Sequence, residues 1–231
     1  MVVTEKELTL NPRAQELLRK LLLVWLDFER QLGKVPILKR LEQGTFTVDD
    51  YKTLLLNLRP QVIEGSRWIT RAASSFTSEF AELRSKVIGH AYDEHRDYEM
   101  LESDFAAVGG ELKDIRSAPR NIGTEALASF LMQQASQPNP VDLLGAMFII
   151  EGLGQKMAQG WAQKIQQAVR VSDDATKFLS YHGVNDSEHL AKLHSILDSD
   201  AVTDETAPRI LKTAKVVARL YILQLEELDN V

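Results

Sequence analysis

The chain of 231 residues contains no cysteine. This absence excludes disulfides, thiolate metal ligands and thiol nucleophiles, so any chemistry must use carboxylates, imidazoles, hydroxyls or a bound cofactor. Basic residues are outnumbered by acidic ones, 27 to 33, and the net charge of −6 argues against nucleic acid or an anionic membrane as the main partner.

Long hydrophobic runs are also missing. The longest strongly apolar run, Leu143 to Ile150, is far too short to cross a bilayer. The first residues do not combine a basic segment with an apolar run, as a signal peptide would. We therefore expect a cytoplasmic protein with no membrane partner.

Apolar residues at intervals of three and four indicate helices along most of the chain. In the first helix, Leu17, Leu21, Trp25 and Phe28 recur as one buried helix face requires. No stretch alternates convincingly at the period of two that is typical of a half-buried strand. We predict an all-α fold in which residues 1–231 form a single domain, a bundle of about seven or eight helices. After the first helix, the predicted helices span residues 36–42, 47–75, 78–109, 124–134, 141–169, 174–197 and 208–228.

Three potential metal ligands lie along the apolar stripe of the predicted helix 174–197. His182, Asp186 and His189 are spaced i, i+4 and i+7, which stacks them on one helix face about a turn apart. Two imidazoles and a carboxylate on one face suit a divalent first-row metal such as iron. The alternative is a set of polar residues at the edge of a helix–helix seam, but three in register favour a metal site.

Two further segments contain acidic residues in unusual positions. Glu151 interrupts the apolar segment LLGAMFIIEGLG, where a carboxylate is costly to bury unless it is metal-bound or paired with Arg or Lys. In the segment HAYDEHRD, the residues His90, Glu94 and Asp97 share one face of the predicted helix. Glu94 is the preferred ligand of these three, and any one of them could instead face solvent.

Glu64 is another possible carboxylate ligand. It could equally form an ordinary ion pair with Arg67, three residues further along the same helix. Arg67 or Arg71 could hold the carboxylate of a substrate in a bidentate contact.

Three of these segments together resemble the haem-oxygenase-like family, which includes thiaminase-II-like proteins, pyrroloquinoline-quinone synthase and non-haem diiron oxidases and oxygenases. They are EHRDYEMLESDFAAVGG, the apolar segment around Glu151, and HGVNDSEH, which matches the H-x3-D-x2-H signature of the diiron branch. The resemblance covers the chain from about Thr47 onwards. It implies a haem-oxygenase-like fold and two Fe(II) ions per chain that react with dioxygen as co-substrate. The ligands that it implies are Glu64, Glu94, Glu151, His182, Asp186 and His189.

One position departs from the pattern of the diiron branch. That branch usually has a His shortly after the residue that corresponds to Glu94, whereas this chain has Asp97 there. Asp97 could still bind iron in a more acidic site, so the chain could hold one ion or two. Two other branches fit poorly: thiaminase-II proteins use a Cys nucleophile, and haem oxygenase needs a proximal His near the N-terminus, whereas the first His here is His90.

We therefore predict an iron- and dioxygen-dependent oxidase or oxygenase that acts on a small organic molecule. A metal-free oxidase of the pyrroloquinoline-quinone synthase type stays open, with His182, His189 and Glu151 as general acids and bases. A third possibility is a non-catalytic helical protein that binds a small molecule or a partner. The acidic surface is compatible with a homodimer.

Overall fold

The computed structural model describes residues 10–184 and 196–229, and every regular element in these ranges is helical. The predicted all-α fold is thereby confirmed. Short 3-10 turns at Ser78–Phe80, Val141–Leu143, Asp173–Ala175 and Glu227–Asp229 flank the longer helices. The helices are α1 (Pro12–Leu32), α2 (Pro36–Glu42), α3 (Val48–Ser75), α4 (Ala81–Glu94), α5 (Tyr98–Ala107), α6 (Leu112–Ser117), α7 (Ile122–Ala135), α8 (Leu144–Leu153), α9 (Gln159–Val169), α10 (helical residues 177–184) and α11 (Thr206–Glu226).

Local capping sets the start of the long helix α3. The Thr47 hydroxyl accepts a hydrogen bond from the Asp50 backbone N–H at 3.1 Å, and the Asp50 carboxylate accepts one from the Thr47 backbone N–H at 2.9 Å. This reciprocal capping box satisfies two backbone donors that a helix start leaves free. It was predicted from the spacing of the two residues, and α3 begins where the pattern placed it.

One helix that was predicted as continuous is interrupted, and another contains a change of helix type. The predicted helix 78–109 breaks between α4 and α5, where Asp97 N–H bonds to Glu94 O at 3.3 Å in a turn. The predicted helix 141–169 contains a π-helical segment, Gly154–Ala158, between α8 and α9. The first of these predictions was therefore wrong in continuity, and His90, Glu94 and Asp97 do not lie on one uninterrupted helix face. Residues 141–169 are helical throughout, as predicted, with a π segment inside. The break and the π segment both lie next to acidic candidate ligands. Such π segments inside α-helices often occur at functional sites.

The core is one connected cluster of buried apolar side chains drawn from α1 to α11. Helix α11 packs its buried face against α1, α7 and α8. Contact with α8 is close because residue 145 is glycine: a Cβ there would lie 2.1 Å from the Ile210 carbonyl oxygen. Within the two described ranges, no helix has both the length and the hydropathy needed to cross a membrane.

Candidate metal centre

Three candidate ligands meet where α4 ends and α10 passes. Glu94 closes α4, Asp97 lies in the turn before α5, and His182 lies on α10. Each offers one ligand atom, and these atoms all lie within 4.8 Å of one another. His182 Nε2 is 3.3 Å from Asp97 Oδ2, and Asp97 is only 7% exposed. Over the described ranges, this is the one cluster of three such residues compact enough to share a metal ion.

A second pair of polar residues lies beside this cluster. His90 Nε2 on α4 is 3.3 Å from Glu151 Oε1 on α8, and Glu151 is 5% exposed. The sequence suggested Arg or Lys as the alternative partner of Glu151, and the structure places an imidazole there. Because a His can be neutral or charged, this contact does not by itself neutralise the buried carboxylate.

The pKa of Glu94 shows that the cluster of Glu94, Asp97 and His182 interacts electrostatically with His90 and Glu151. Burial of the carboxyl, followed by the negative charge of Glu151, raises the pKa of Glu94 to about 7. His182 and His90 lower this pKa, and Asp97 raises it. Three carboxylates and two imidazoles therefore share one electrostatic environment with an excess of negative charge. A divalent cation would offset that excess directly.

The donor set fits a first-row metal ion. Carboxylate oxygens and imidazole nitrogens together suit iron, whereas a site of carboxylates alone would favour magnesium or calcium. The buried Asp97 Oδ2 receives no well-aligned hydrogen bond from any residue in the described ranges, which is costly for a carboxylate oxygen unless a cation contacts it. Glu94, Asp97 and His182 are therefore chemically suited to hold such an ion.

Asp104 positions the helix that carries His182, a role that the sequence did not reveal. Its side chain is 0% exposed, and its two carboxylate oxygens accept hydrogen bonds from the backbone N–H groups of Lys177 and Phe178, at 2.9 and 3.0 Å. Burial raises the pKa of Asp104 to about 6, although these two hydrogen bonds act to lower it. The Phe178 ring in turn lies 4.4 Å from the His182 ring, centroid to centroid. A cap supplied by another helix has no local sequence signature, because its partners lie far along the chain.

Gly183, next to His182, allows α10 to approach the start of α9. A Cβ at residue 183 would lie 2.9 Å from the backbone nitrogen of Gln159 and 2.8 Å from its Cβ. Any larger residue would push the two helices apart. The glycine therefore helps to set the depth of His182 in the bundle.

Glu64 lies on α3 and contacts arginines. Its Oε1 accepts a hydrogen bond from Arg67 at 2.6 Å and another from Arg120. These contacts agree with the ion-pair alternative for Glu64, and its role as an iron ligand stays a prediction. Arg71 donates to Ser136 Oγ at 3.0 Å. Neither Arg67 nor Arg71 lines the two cavities described below, and their role in substrate binding also stays a prediction.

The remaining members of the predicted ligand set, Asp186 and His189, lie outside the described residues. Their role as ligands therefore stays a prediction from the H-x3-D-x2-H spacing.

Glu151 lines two cavities. The first, cavity A, has a volume of about 100 Å³ and is lined by Glu94, Glu151 and His182 together with apolar side chains of several helices. The second, cavity B, has a volume of about 80 Å³ and extends beside His90 and Glu151. Trp68, Ile69 and Glu151 line both cavities. The candidate metal centre is thus next to space for a small molecule, as an active site requires.

Comparison with solved structures identifies the fold. A domain of unknown function with a haem-oxygenase-like fold from Shewanella denitrificans OS217 has a TM-score of 0.81 at 19% identity, over 93% of this chain and 90% of that chain. A TenA homologue from Pseudomonas syringae pv. tomato DC3000 has a TM-score of 0.72 at 12% identity, over 96% and 94% of the two chains. A TenA homologue from P. horikoshii OT3 has a TM-score of 0.71 at 15% identity, over 94% and 97%. The haem-oxygenase-like fold that the sequence motifs predicted is confirmed.

Comparison at the sequence level identifies the family. No curated protein matches the chain significantly. Residues 53–222 match the family model that is described as iron-containing redox enzyme, a span that begins in α3 and ends in α11 and includes both polar groups of the candidate metal centre. The chain therefore belongs to the haem-oxygenase-type family described as iron-containing redox enzyme.

Proposed function

We propose that the protein is an iron- and dioxygen-dependent oxidase or oxygenase that acts on a small organic molecule. The observation that carries the proposal is the meeting of Glu94, Asp97 and His182 within 4.8 Å beside cavity A. Membership of a family described as iron-containing redox enzyme supports it. When bound, iron would supply the activation of dioxygen, which amino-acid side chains do not provide.

Glu94, Asp97 and His182 would hold the first ion. His90 and Glu151 would contribute to a second, together with Asp186 and His189 as the sequence predicts. The diiron form of the proposal depends on this second group, because the first cluster alone offers three ligands for a single ion.

The surrounding residues prepare the centre for this chemistry. At a pH below about 7 the metal-free site holds a proton on Glu94, and this proton must leave before the carboxylate can bind a cation. The apolar residues in the wall of cavity A lower the local polarity, which strengthens the electrostatic interactions within the site. Trp68 and Glu151, which line both cavities, lie between the two spaces that a substrate could enter.

The test compares a histidine of the proposed metal site with a histidine outside it. His182 belongs to the cluster, whereas His95 is exposed and its Nδ1 lies 2.7 Å from the Tyr92 carbonyl oxygen. Protein from iron-supplemented cells is analysed for metals by mass spectrometry, and the metal-free form is titrated with Fe(II) without oxygen. We expect His182→Ala to weaken Fe(II) binding by more than about tenfold and to lower the iron content, because loss of even an outer-shell partner of a metal ligand costs roughly 10–100-fold in affinity. His95→Ala should retain the wild-type content.

Each result has a separate meaning. About two iron ions per chain would support the diiron form, and one ion would support a mononuclear site at Glu94, Asp97 and His182. Equal iron in His182→Ala and the wild type would contradict the proposed site. Oxygen consumption that survives removal of all metal by a chelator would favour the metal-free oxidase instead.

A further inference from the structure

Cavity B is almost entirely apolar. Among its described lining residues only Lys86, His90 and Glu151 are ionisable. Cavity A, in contrast, is lined by Glu94, Glu151, His182, Gln61 and Tyr221 as well as apolar groups. The two spaces beside the candidate centre therefore differ in the chemistry that they accept.

The shape of cavity B follows two neighbouring helices. On α4 its wall is the stripe Leu83, Val87 and His90, which share one helix face. Because a helix rises 1.5 Å per residue, this stripe extends for roughly 10 Å. On α3 the wall consists of Trp68, Ile69 and Ala72, and Phe76 follows directly after the end of this helix. Cavity B thus follows α4, with His90 and Glu151 beside the candidate metal centre and the exposed Lys86 on the same wall of α4.

A mainly apolar cavity offers few hydrogen-bond partners to a water molecule. A buried water needs two to four polar partners, whereas cavities lined by aliphatic and aromatic groups stay dry and bind small hydrocarbons. Its volume of about 80 Å³ exceeds the roughly 10–15 Å³ that a single water molecule requires. A hydrocarbon group would therefore gain favourable burial against the apolar walls of cavity B.

We infer that cavity B binds an aliphatic group of the substrate and brings its carbon atoms next to Glu151 and His90. The assignment of that group to the substrate rests on the proposed function, but its binding does not require metal. The substrate class is then a small molecule that carries a hydrocarbon chain, as opposed to one that is polar throughout, such as a sugar.

The experiment uses metal-free protein and straight-chain alcohols as probes. Met147 lines cavity B, and the chain has only five methionines, so methyl-labelled methionine gives a readout at this cavity. The Met147 signal is assigned by Met147→Leu. We expect 1-butanol and 1-hexanol to shift this signal with a dissociation constant that falls roughly fourfold for each added CH2. The diol 1,6-hexanediol should bind more weakly, because its second hydroxyl must be removed from water to enter a cavity with mainly apolar walls.

Two substitutions test whether hexanol binds in cavity B or in cavity A. Ala72 is 2% exposed and lines cavity B alone, so Ala72→Phe fills it. Gly65 lines cavity A alone, and no atom lies within 4 Å of a Cβ placed there, so Gly65→Leu is the matched control. Hexanol binding at Met147 should disappear in Ala72→Phe and persist in Gly65→Leu. If Ala72→Phe does not fold, Ala72→Val adds less volume and should weaken hexanol binding at least threefold.

The outcomes distinguish this inference from the proposed function. Failure of every alcohol to shift the Met147 signal, or unchanged hexanol binding in the filled variants, would overturn the hydrocarbon site even if the protein binds iron. Hexanol binding with the expected chain-length dependence, in a protein that takes up no iron, would support the hydrocarbon site and contradict the proposed function.

Discussion

Replacement of the buried Asp104 should both destabilise the bundle and loosen the candidate metal centre. In Asp104→Ala, the backbone N–H groups of Lys177 and Phe178 lose their acceptors at 2.9 and 3.0 Å. Loss of a helix N-cap costs about 0.5–2 kcal/mol, and a buried donor left unsatisfied costs about 1–3 kcal/mol. Burial already opposes ionisation of this carboxyl, as its pKa of about 6 shows, so the net loss lies at about 2–4 kcal/mol.

Thermal unfolding measures this loss. For a protein of this size, 1 kcal/mol corresponds to about 2–4 °C in Tm, so Asp104→Ala should lower Tm by roughly 4–16 °C. Asp104→Asn retains one acceptor and should lose less. Asn11, whose side chain accepts from Ala14 N–H at 2.9 Å at the start of α1, supplies a comparison cap on another helix.

Metal affinity separates a local effect on His182 from a general loss of stability. Because Asp104 holds the start of α10, Asp104→Ala should weaken Co(II) or Fe(II) binding at least tenfold at a temperature where the variant is folded. Asn11→Ala should lower Tm without changing metal affinity. Wild-type metal affinity in Asp104→Ala, with a fall in Tm no greater than that of Asn11→Ala, would refute the reasoning.

Three further results follow from the described contacts. The pKa of Glu94 is raised from 4.5 to about 7, so between these pH values the folded metal-free protein holds a proton that the unfolded chain releases. Its free energy of unfolding should therefore fall as the pH rises from about 4.5 to 7. Urea titrations of Glu94→Gln that show the same pH dependence as the wild type would contradict this. Gly183→Ala should clash with Gln159 and lower stability by about 1–3 kcal/mol in chemical denaturation, a prediction that a wild-type midpoint would exclude. Tyr51→Phe removes the hydrogen bond from the Tyr51 hydroxyl to Ala175 O at 2.7 Å and should cost about 1 kcal/mol while iron content stays unchanged; a loss of iron would show that this bond also positions the site.

Local physics made much of the fold predictable. The helix α2 has the bounds that its Pro and the following Gly indicate, and α3 begins at the Thr47–Asp50 capping box. Such signals act between residues within one or two turns, so a single sequence contains them in full. The break at 95–97 and the π segment Gly154–Ala158 were not predicted, because no proline or strong cap marks them and packing against other helices decides them.

The candidate site was predictable only as a set of residues in improbable surroundings. Glu151 in an apolar run and His182 on an apolar stripe are costly placements, and this cost indicated a function for them. Their partners could not be deduced in the same way. The contact of His90 with Glu151 joins α4 and α8, and that of Asp97 with His182 joins the turn before α5 and α10. For Glu64, the sequence offered Arg67 as a partner, and the structure adds Arg120 from the segment before α7.

The sequence by itself determined the helical class, the family motifs and the identity of most polar residues near the centre, because periodicity, caps and burial costs are expressed over a few residues. Tertiary structure alone decided that Asp104 caps α10, that Gly183 sets the approach of α10 to α9, and that two cavities meet at Glu151. These features depend on distances between helices that are far apart in the chain. Such distances arise from the packing of the whole core, so no local pattern records them.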